Sequence, residues 1–89
     1  MANEFLIKEF GERIRLLRLE KKISQEVLSF ITGFHRTYIG MIERGERNIS
    51  LTNMAVFAKV FELTLSQLLE LNSVNPEHNY KNYETKSED

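Results

Sequence analysis

Twenty residues in the middle of the chain, from Gln25 to Arg44, constrain the fold more than any other segment. Two short helices that cross steeply around a turn need a small residue inside the first helix and a residue that tolerates positive φ at the turn. Ser29 and Gly33 meet these two requirements. The inward positions would be Leu28, Thr32, Phe34, Ile39 and Ile42. The pattern predicts a crossed helical pair over a shared core, and an ordinary helical hairpin is the alternative.

Apolar residues recur at helical spacing along nearly all of the sequence, and no segment alternates as a strand does. The five predicted helices run from Asn3 to Lys22, from Ser24 to Thr32, from His35 or Arg36 to Arg44, from Ser50 through Phe61, and from Thr64 to about Asn72. Ser24 and Ser50 are predicted N-caps, and Gly45 ends the third helix. Thr64 and Gln67 match a capping box. The expected fold is an all-α bundle with short connections.

The predicted core lies on one face of the first and fourth helices. Its members there are Phe10, Ile14 and Leu17, followed by Leu51, Met54, Ala58 and Phe61. Residues 1–74 are predicted to form one domain, and residues 75–89 a polar, disordered tail without aliphatic side chains. Since an 89-residue chain without cysteine has no disulfide, we expect its stability to come from tight helix packing or from a partner subunit.

The net charge of −1 hides an uneven distribution of charge along the chain. Residues 13–47 carry eight Lys and Arg against four Glu, whereas residues 75–89 carry two Lys against four acidic residues. The basic middle indicates an anionic partner, and a solvated helix face is the alternative reading of the same charges. No targeting leader and no apolar run of about 18 residues is visible, so we expect a cytoplasmic chain without membrane contact.

Residues with catalytic or metal-binding potential are scattered along the sequence. There is no cysteine, and the two histidines, His35 and His78, are too far apart to suggest a metal cluster. No serine or threonine has a plausible local base partner, and the carboxylates show no pairing typical of acid–base catalysis. We therefore expect no enzymatic activity, no cofactor and no metal ion.

Several short motifs follow one another from Phe10 onwards. They are Phe10–Arg18 (FGERIRLLR), Ser24–Glu26 (SQE), Gly33–Phe34, Arg36–Ile39 (RTYI) and Ile42–Gly45 (IERG), followed by two capped helices. With these motifs the chain resembles, as far as Leu69, the Cro/repressor (XRE-like) helix-turn-helix transcriptional regulators. Within that family it is most similar to the controller proteins of restriction–modification systems, through Arg36–Ile39 followed by Ile42–Arg44 and by Arg47 and Asn48. It departs from the family pattern at three positions, with Ser29 for alanine, Ile49 for proline and Glu62 for glycine.

The resemblance implies a compact, five-helix, lambda-repressor-like DNA-binding domain with the helix-turn-helix at helices two and three. The implied base contacts are Arg36, Thr37 and Arg47. The implied contacts to the DNA backbone are Gln25, Tyr38, Gly40 and Asn48, with Gly40 leaving room for close approach of the DNA. Arg18 and Glu43 are implied to form an internal ion pair between the first and third helices.

Three residues near the implied DNA contacts have structural alternatives. Tyr38 suits a half-buried packing position equally well. His35 is expected to be an N-cap or a solvent-facing residue rather than a pH switch. Arg44, next to Gly45, could simply complement the C-terminal end of the third helix.

The fifth helix carries more leucine than one core-facing stripe needs. Its residues Leu65, Leu68, Leu69 and Leu71 are predicted to form the interface of a symmetric dimer. The expected partners are an operator in double-stranded DNA, a second copy of the chain and, as a further candidate, RNA polymerase. The predicted function is transcriptional regulation by binding to an operator. The family resemblance implies that the regulated genes are those of a restriction–modification system. An antitoxin-like or other protein-interaction module with the same fold is the alternative.

Overall fold

The computed structural model describes residues 4–71. Its elements are α1 (Glu4–Glu20), α2 (Gln25–Thr32), α3 (Arg36–Glu43), α4 (Leu51–Val60) and α5 (Leu65–Leu68). Every regular element in this part of the chain is a helix, so the predicted all-α, five-helix architecture is confirmed. The domain boundary after residue 74 and the tail at 75–89 lie outside the described residues. Among residues 4–71, no helix combines the length and the apolar character that crossing a membrane requires.

Polar caps start three of the helices where the sequence places them. The hydroxyl oxygens of Ser24 and Ser50 each accept a hydrogen bond of 3.1 Å from a backbone N–H in the first turn of α2 and α4. At the start of α5, Thr64 and Gln67 form a reciprocal capping box with distances of 3.0 and 2.9 Å. Because a helix start leaves backbone N–H groups without intrahelical acceptors, these side chains fix where each helix begins.

The end of α5 differs from the prediction, since the helix stops at Leu68 and the predicted end, Asn72, lies outside the described residues. Arg13 of α1 donates from Nε to the carbonyl oxygen of Leu68 at 3.0 Å and from Nη2 to that of Gln67 at 2.6 Å. In a longer helix these oxygens would accept from the N–H groups four residues further on. A side chain 55 residues away from Leu68 therefore satisfies carbonyl oxygens at the C-terminal end of α5.

Left-handed residues end four helices. Two of them are glycines, Gly33 (φ 82°) and Gly45 (φ 75°), for which this conformation costs little. The other two are Lys22 (φ 60°) and Glu62 (φ 59°), where a Cβ makes it cost about 1–2 kcal/mol. Accordingly α1 ends at Glu20, two residues before the predicted end, and the departure from glycine at position 62 strains the turn after α4.

The hydrophobic core is formed by side chains from all five helices. Its fully buried members are Ile14, Leu28, Ile39, Ile42, Phe57 and Leu68. Phe57, which the sequence pattern missed, is central, with ring centroids 5.3 Å from Phe34 and 6.4 Å from Phe61. The predicted core position of Leu51 is wrong, because this side chain is 63% exposed. Leu51 is the first residue of α4, one turn before Met54, and the packed helices leave that end uncovered.

The closest approach between α1 and α3 occurs at Gly11. A Cβ at this position would overlap the carbonyl oxygen of Ile42 and lie 3.0 Å from that of Glu43. Only a residue without a side chain lets the backbone of α1 rest directly on the C-terminal end of α3. This contact sets the position of α3, which carries most of the implied DNA contacts.

Candidate nucleic-acid interface

Hydrogen bonds across the turn fix the crossing of α2 and α3. Ser29 Oγ donates to the carbonyl oxygen of Phe34 at 2.6 Å, which joins the middle of α2 to the chain just before α3. Thr32 Oγ1 donates to the Leu28 carbonyl at 2.8 Å and accepts from the Phe34 N–H at 3.1 Å. With Gly33 in the left-handed region between them, these bonds give the helix-turn-helix pair a rigid geometry.

The N-terminal end of α3 is open to solvent. His35 is its N-cap, and the His35 Nδ1 atom accepts a hydrogen bond of 3.0 Å from the Thr37 N–H, so the expectation of a capping role is confirmed. Arg36 and Thr37 are exposed, and within residues 4–71 their side chains have no hydrogen-bond or ion-pair partner. Two of the three residues implied to read bases, Arg36 and Thr37, therefore project freely from a helix end whose dipole favours anions.

Tyr38 is half-buried and links α3 to α4. Its ring packs edge-on against Phe34 with centroids 5.3 Å apart, and its hydroxyl oxygen accepts from Asn53 Nδ2 at 2.9 Å. Since Asn53 occupies the acceptor side, the hydroxyl proton of Tyr38 is free to donate outward. Tyr38 is thus a packing residue whose hydroxyl proton remains available to an acceptor outside the core. Sequence reasoning missed Asn53, because nothing in the local pattern connects α4 to residue 38.

The loop between α3 and α4 places Arg47 and Asn48 at the surface. The guanidinium carbon of Arg47 lies 5.3 Å from the centroid of the Tyr38 ring, within the range of a cation–π interaction. This contact joins the loop arginine to α3, so Arg47 and Tyr38 form one continuous surface beside Thr37. Asn48 follows directly in the chain and is also exposed.

One network of part-buried hydrogen bonds joins α1, α2 and α3 through the side chains of Arg18, Gln25 and Glu43. Arg18 donates from Nε to Glu43 Oε2 at 2.7 Å and from Nη2 to Glu43 Oε1 at 3.0 Å, with side chains only 12% and 3% exposed. Arg18 Nη1 also donates to the Ile23 carbonyl at 3.0 Å. Gln25 Nε2 donates to Glu43 Oε1 at 3.0 Å. The implied ion pair is present. Its Glu43 also holds the side chain of Gln25, whose amide keeps a second N–H that can donate elsewhere.

Gly40 needs a correction, because it is buried within the chain and does not face open space. A Cβ at this position would meet Arg44 Nη1 at 3.1 Å and Gln25 Oε1 at 3.6 Å. A Cβ at Gly40 would thus touch Gln25 at ordinary van der Waals distance and would crowd only the end of the flexible Arg44 side chain. In the described chain the side chains of Arg44 and Gln25 lie over Gly40, so an approaching DNA backbone would meet these side chains first.

Arg44 forms an exposed ion pair with Glu46 at the C-terminal end of α3. Arg44 Nε donates to Glu46 Oε2 at 2.9 Å, and Arg44 Nη2 donates to Glu46 Oε1 at 3.2 Å. Through these hydrogen bonds, helped by the attraction of charge, Arg44 lowers the pKa of the Glu46 carboxyl, and Glu46 raises the pKa of the Arg44 guanidinium. Both groups stay charged near neutral pH.

The proposed leucine interface needs correction at two of its four positions. Leu68 is completely buried, and Leu71 is only 3% exposed within the chain itself, so neither offers a surface to a second subunit. Leu65 and Leu69 are half-buried at the edge of the core. An apolar groove opens beside Leu69 and continues over Met54. Among residues 4–71, no cluster of His, Asp and Glu side chains could hold a metal ion.

Comparisons with known proteins agree with this geometry. The helix-turn-helix family model matches residues 14–68. The control protein C.SmaI from Serratia marcescens is 44% identical over 64 residues, which cover 71% of this chain and 76% of that protein. The control protein C.BamHI from Bacillus amyloliquefaciens is 42% identical over 66 residues, which cover 73% and 82%.

Among solved structures, the restriction–modification controller protein C.AhdI from Aeromonas hydrophila superimposes with a TM-score of 0.67 at 41% identity. The match covers 74% of this chain and 98% of that protein. The relatives are regulators, and this chain is accordingly not an enzyme. The family match and the shared fold together show that the chain belongs to the XRE-type helix-turn-helix transcriptional regulators of the restriction–modification controller type.

Proposed function

We propose that the chain binds a specific operator in double-stranded DNA as a homodimer and thereby controls transcription of restriction–modification genes. The observation that carries this proposal is the open N-terminal end of α3, where Arg36 and Thr37 are exposed and unpartnered within the described residues. The planar fork of Arg36 suits O6 and N7 of guanine, and Thr37 suits a base edge or a thymine methyl group. DNA binding of this kind would take place in the cytoplasm.

The remaining contacts to DNA would surround Arg36 and Thr37. Arg47, stacked on Tyr38, is proposed to reach a base edge, and Asn48 the backbone. The hydroxyl proton of Tyr38 and the second amide N–H of Gln25 would donate to phosphate oxygens. Phosphate contacts position the protein without carrying sequence information, so these residues would set affinity more than specificity.

The dimer is proposed to form at the edge of the core near α5, with Leu65 and Leu69 as its interface. The apolar groove next to Leu69 would extend the buried surface, and a small domain without disulfides gains stability from such burial. Two-fold symmetry would place the two α3 helices about 34–36 Å apart, facing half-sites one turn of DNA apart. A regulator bound next to a promoter could also contact RNA polymerase, which we include as a further proposed partner.

Replacement of Arg36 tests whether this residue contacts a base. The operator is first selected from a random duplex pool, and failure to enrich any sequence would contradict sequence-specific binding. Arg36→Ala should then cost about 1–3 kcal/mol on the operator and relax preference at one base pair. A scrambled duplex should lose much less affinity. Arg15→Ala, which removes the same charge from an exposed position on α1, is the matched control. Equal losses on both duplexes for Arg36→Ala would assign Arg36 to the backbone instead.

A further inference from the structure

Arg44 lies on the same face of α3 as the proposed reading residue Arg36. Positions 36, 40 and 44 recur every four residues, so they form one stripe along the helix. Arg44 Nη1 occupies the space above Gly40 and shares it with the amide oxygen of Gln25. Gln25 is a proposed phosphate contact, which places the Arg44 guanidinium next to the expected path of the DNA backbone.

Glu46 holds the same guanidinium from the other side. Its two carboxylate oxygens occupy Nε and Nη2 of Arg44, whereas Nη1 points toward Gly40. The Glu46 backbone N–H donates to the Met41 carbonyl at 2.8 Å, so the position of Glu46 is fixed by the chain. The side chains of Arg44 and Glu46 are 58% and 49% exposed. Since exposed ion pairs are individually weak, a phosphate can compete with Glu46 for this arginine.

We propose that Arg44 is a contact to the DNA backbone and that Glu46 restrains it, which lowers affinity for all DNA sequences alike. This inference rests on the proposed DNA binding. In the free protein the carboxylate cancels the charge of Arg44, and in the complex it repels the phosphate that Arg44 would bind. Glu46 is therefore a built-in limit on affinity, separate from the residues that choose the sequence.

Glu46→Gln tests the restraint, because the amide keeps the size of the side chain and removes its charge. Affinity should rise about three- to tenfold on the operator and by the same factor on a scrambled duplex. The slope of log affinity against log salt should steepen by about one, as expected for one additional phosphate contact. Glu12→Gln is the matched control, because it frees Arg15 from a similarly exposed ion pair on α1. The control should change affinity less than about twofold.

Arg44→Ala separates the proposed contact from a simple change of net charge. In the Arg44→Ala background, Glu46→Gln should no longer steepen the salt dependence. A persistent steepening there, an equal gain from Glu12→Gln, or unchanged binding by Glu46→Gln would each overturn the restraint. If the unmodified protein binds DNA without any sequence preference, the proposed function is wrong. The restraint by Glu46 can then still be tested by the same three outcomes. If neither the unmodified protein nor Glu46→Gln binds any duplex, both proposals are wrong.

Discussion

Gly11→Ala adds a single methyl group at the crossing of α1 and α3 and should destabilise the whole domain. The new Cβ would overlap the Ile42 carbonyl oxygen and lie 3.0 Å from the carbonyl oxygen of Glu43. Both neighbours are backbone atoms, so no side-chain rotation relieves the overlap. To restore ordinary van der Waals separation, the two helices must move apart by about 1 Å.

Two opposing effects decide the magnitude. Alanine is about 1 kcal/mol better than glycine inside a helix, which favours the variant. Overpacking of this kind typically costs about 1–3 kcal/mol, and more where backbone must shift. A gap of about 1 Å also forfeits up to half of the dispersion energy of the contacts that it opens, including those of the buried Ile14 and Ile42. We expect a net loss of about 1–3 kcal/mol in the free energy of unfolding.

Urea unfolding at equilibrium measures this loss, and a thermal melt should show a decrease of about 4–8 °C per kcal/mol in a domain of this size. Gly33→Ala is the control, because it makes the same chemical change where no atom lies within 4 Å. Its cost should be only that of a left-handed alanine, about 1–2 kcal/mol. A Gly11→Ala variant as stable as the unmodified protein would refute the assigned role of this close contact.

Two further variants probe the buried ion pair and the proposed dimer. Arg18→Ala leaves Glu43, which is 3% exposed, without its cation, and thermal melts should show a loss of about 3–5 kcal/mol; a shift of only a few degrees would contradict this. Leu69→Glu places a charge at the half-buried edge of the core and should convert the dimer to monomer in sedimentation experiments. Leu19→Glu on the exposed face of α1 is the control, and a dimer that survives Leu69→Glu would place the interface elsewhere.

The starts of the helices and the interior of the crossed pair could be predicted from the sequence, because both depend on local chemistry. A serine or threonine before an apolar repeat satisfies the first N–H groups of its own helix, and Ser24, Ser50 and Thr64 do so. Leu28 and Ile39 are buried as their spacing predicts. These features need no information from distant parts of the chain.

The features that could not be predicted depend on contacts between residues that are distant in sequence. The carbonyl oxygens at the end of α5 accept from Arg13 of α1, and nothing in the local sequence of α5 indicates this donor. The orientation of Tyr38 depends on Asn53 in α4. The family resemblance implies that Gly40 lies against DNA, and the sequence pattern does not show that Arg44 packs over it.

The proposed DNA contacts fall into two physical classes. Gln25 and Tyr38 are held by hydrogen bonds to interior groups, Glu43 and Asn53, so little side-chain entropy remains to be lost on binding. Arg36 has no partner within residues 4–71, so its long side chain must become ordered on the DNA. In the proposed complex, a bidentate contact with a complementary base edge would offset that ordering. In the proposed complex the pre-positioned residues would supply affinity for any duplex, and Arg36 would make the difference between one sequence and another.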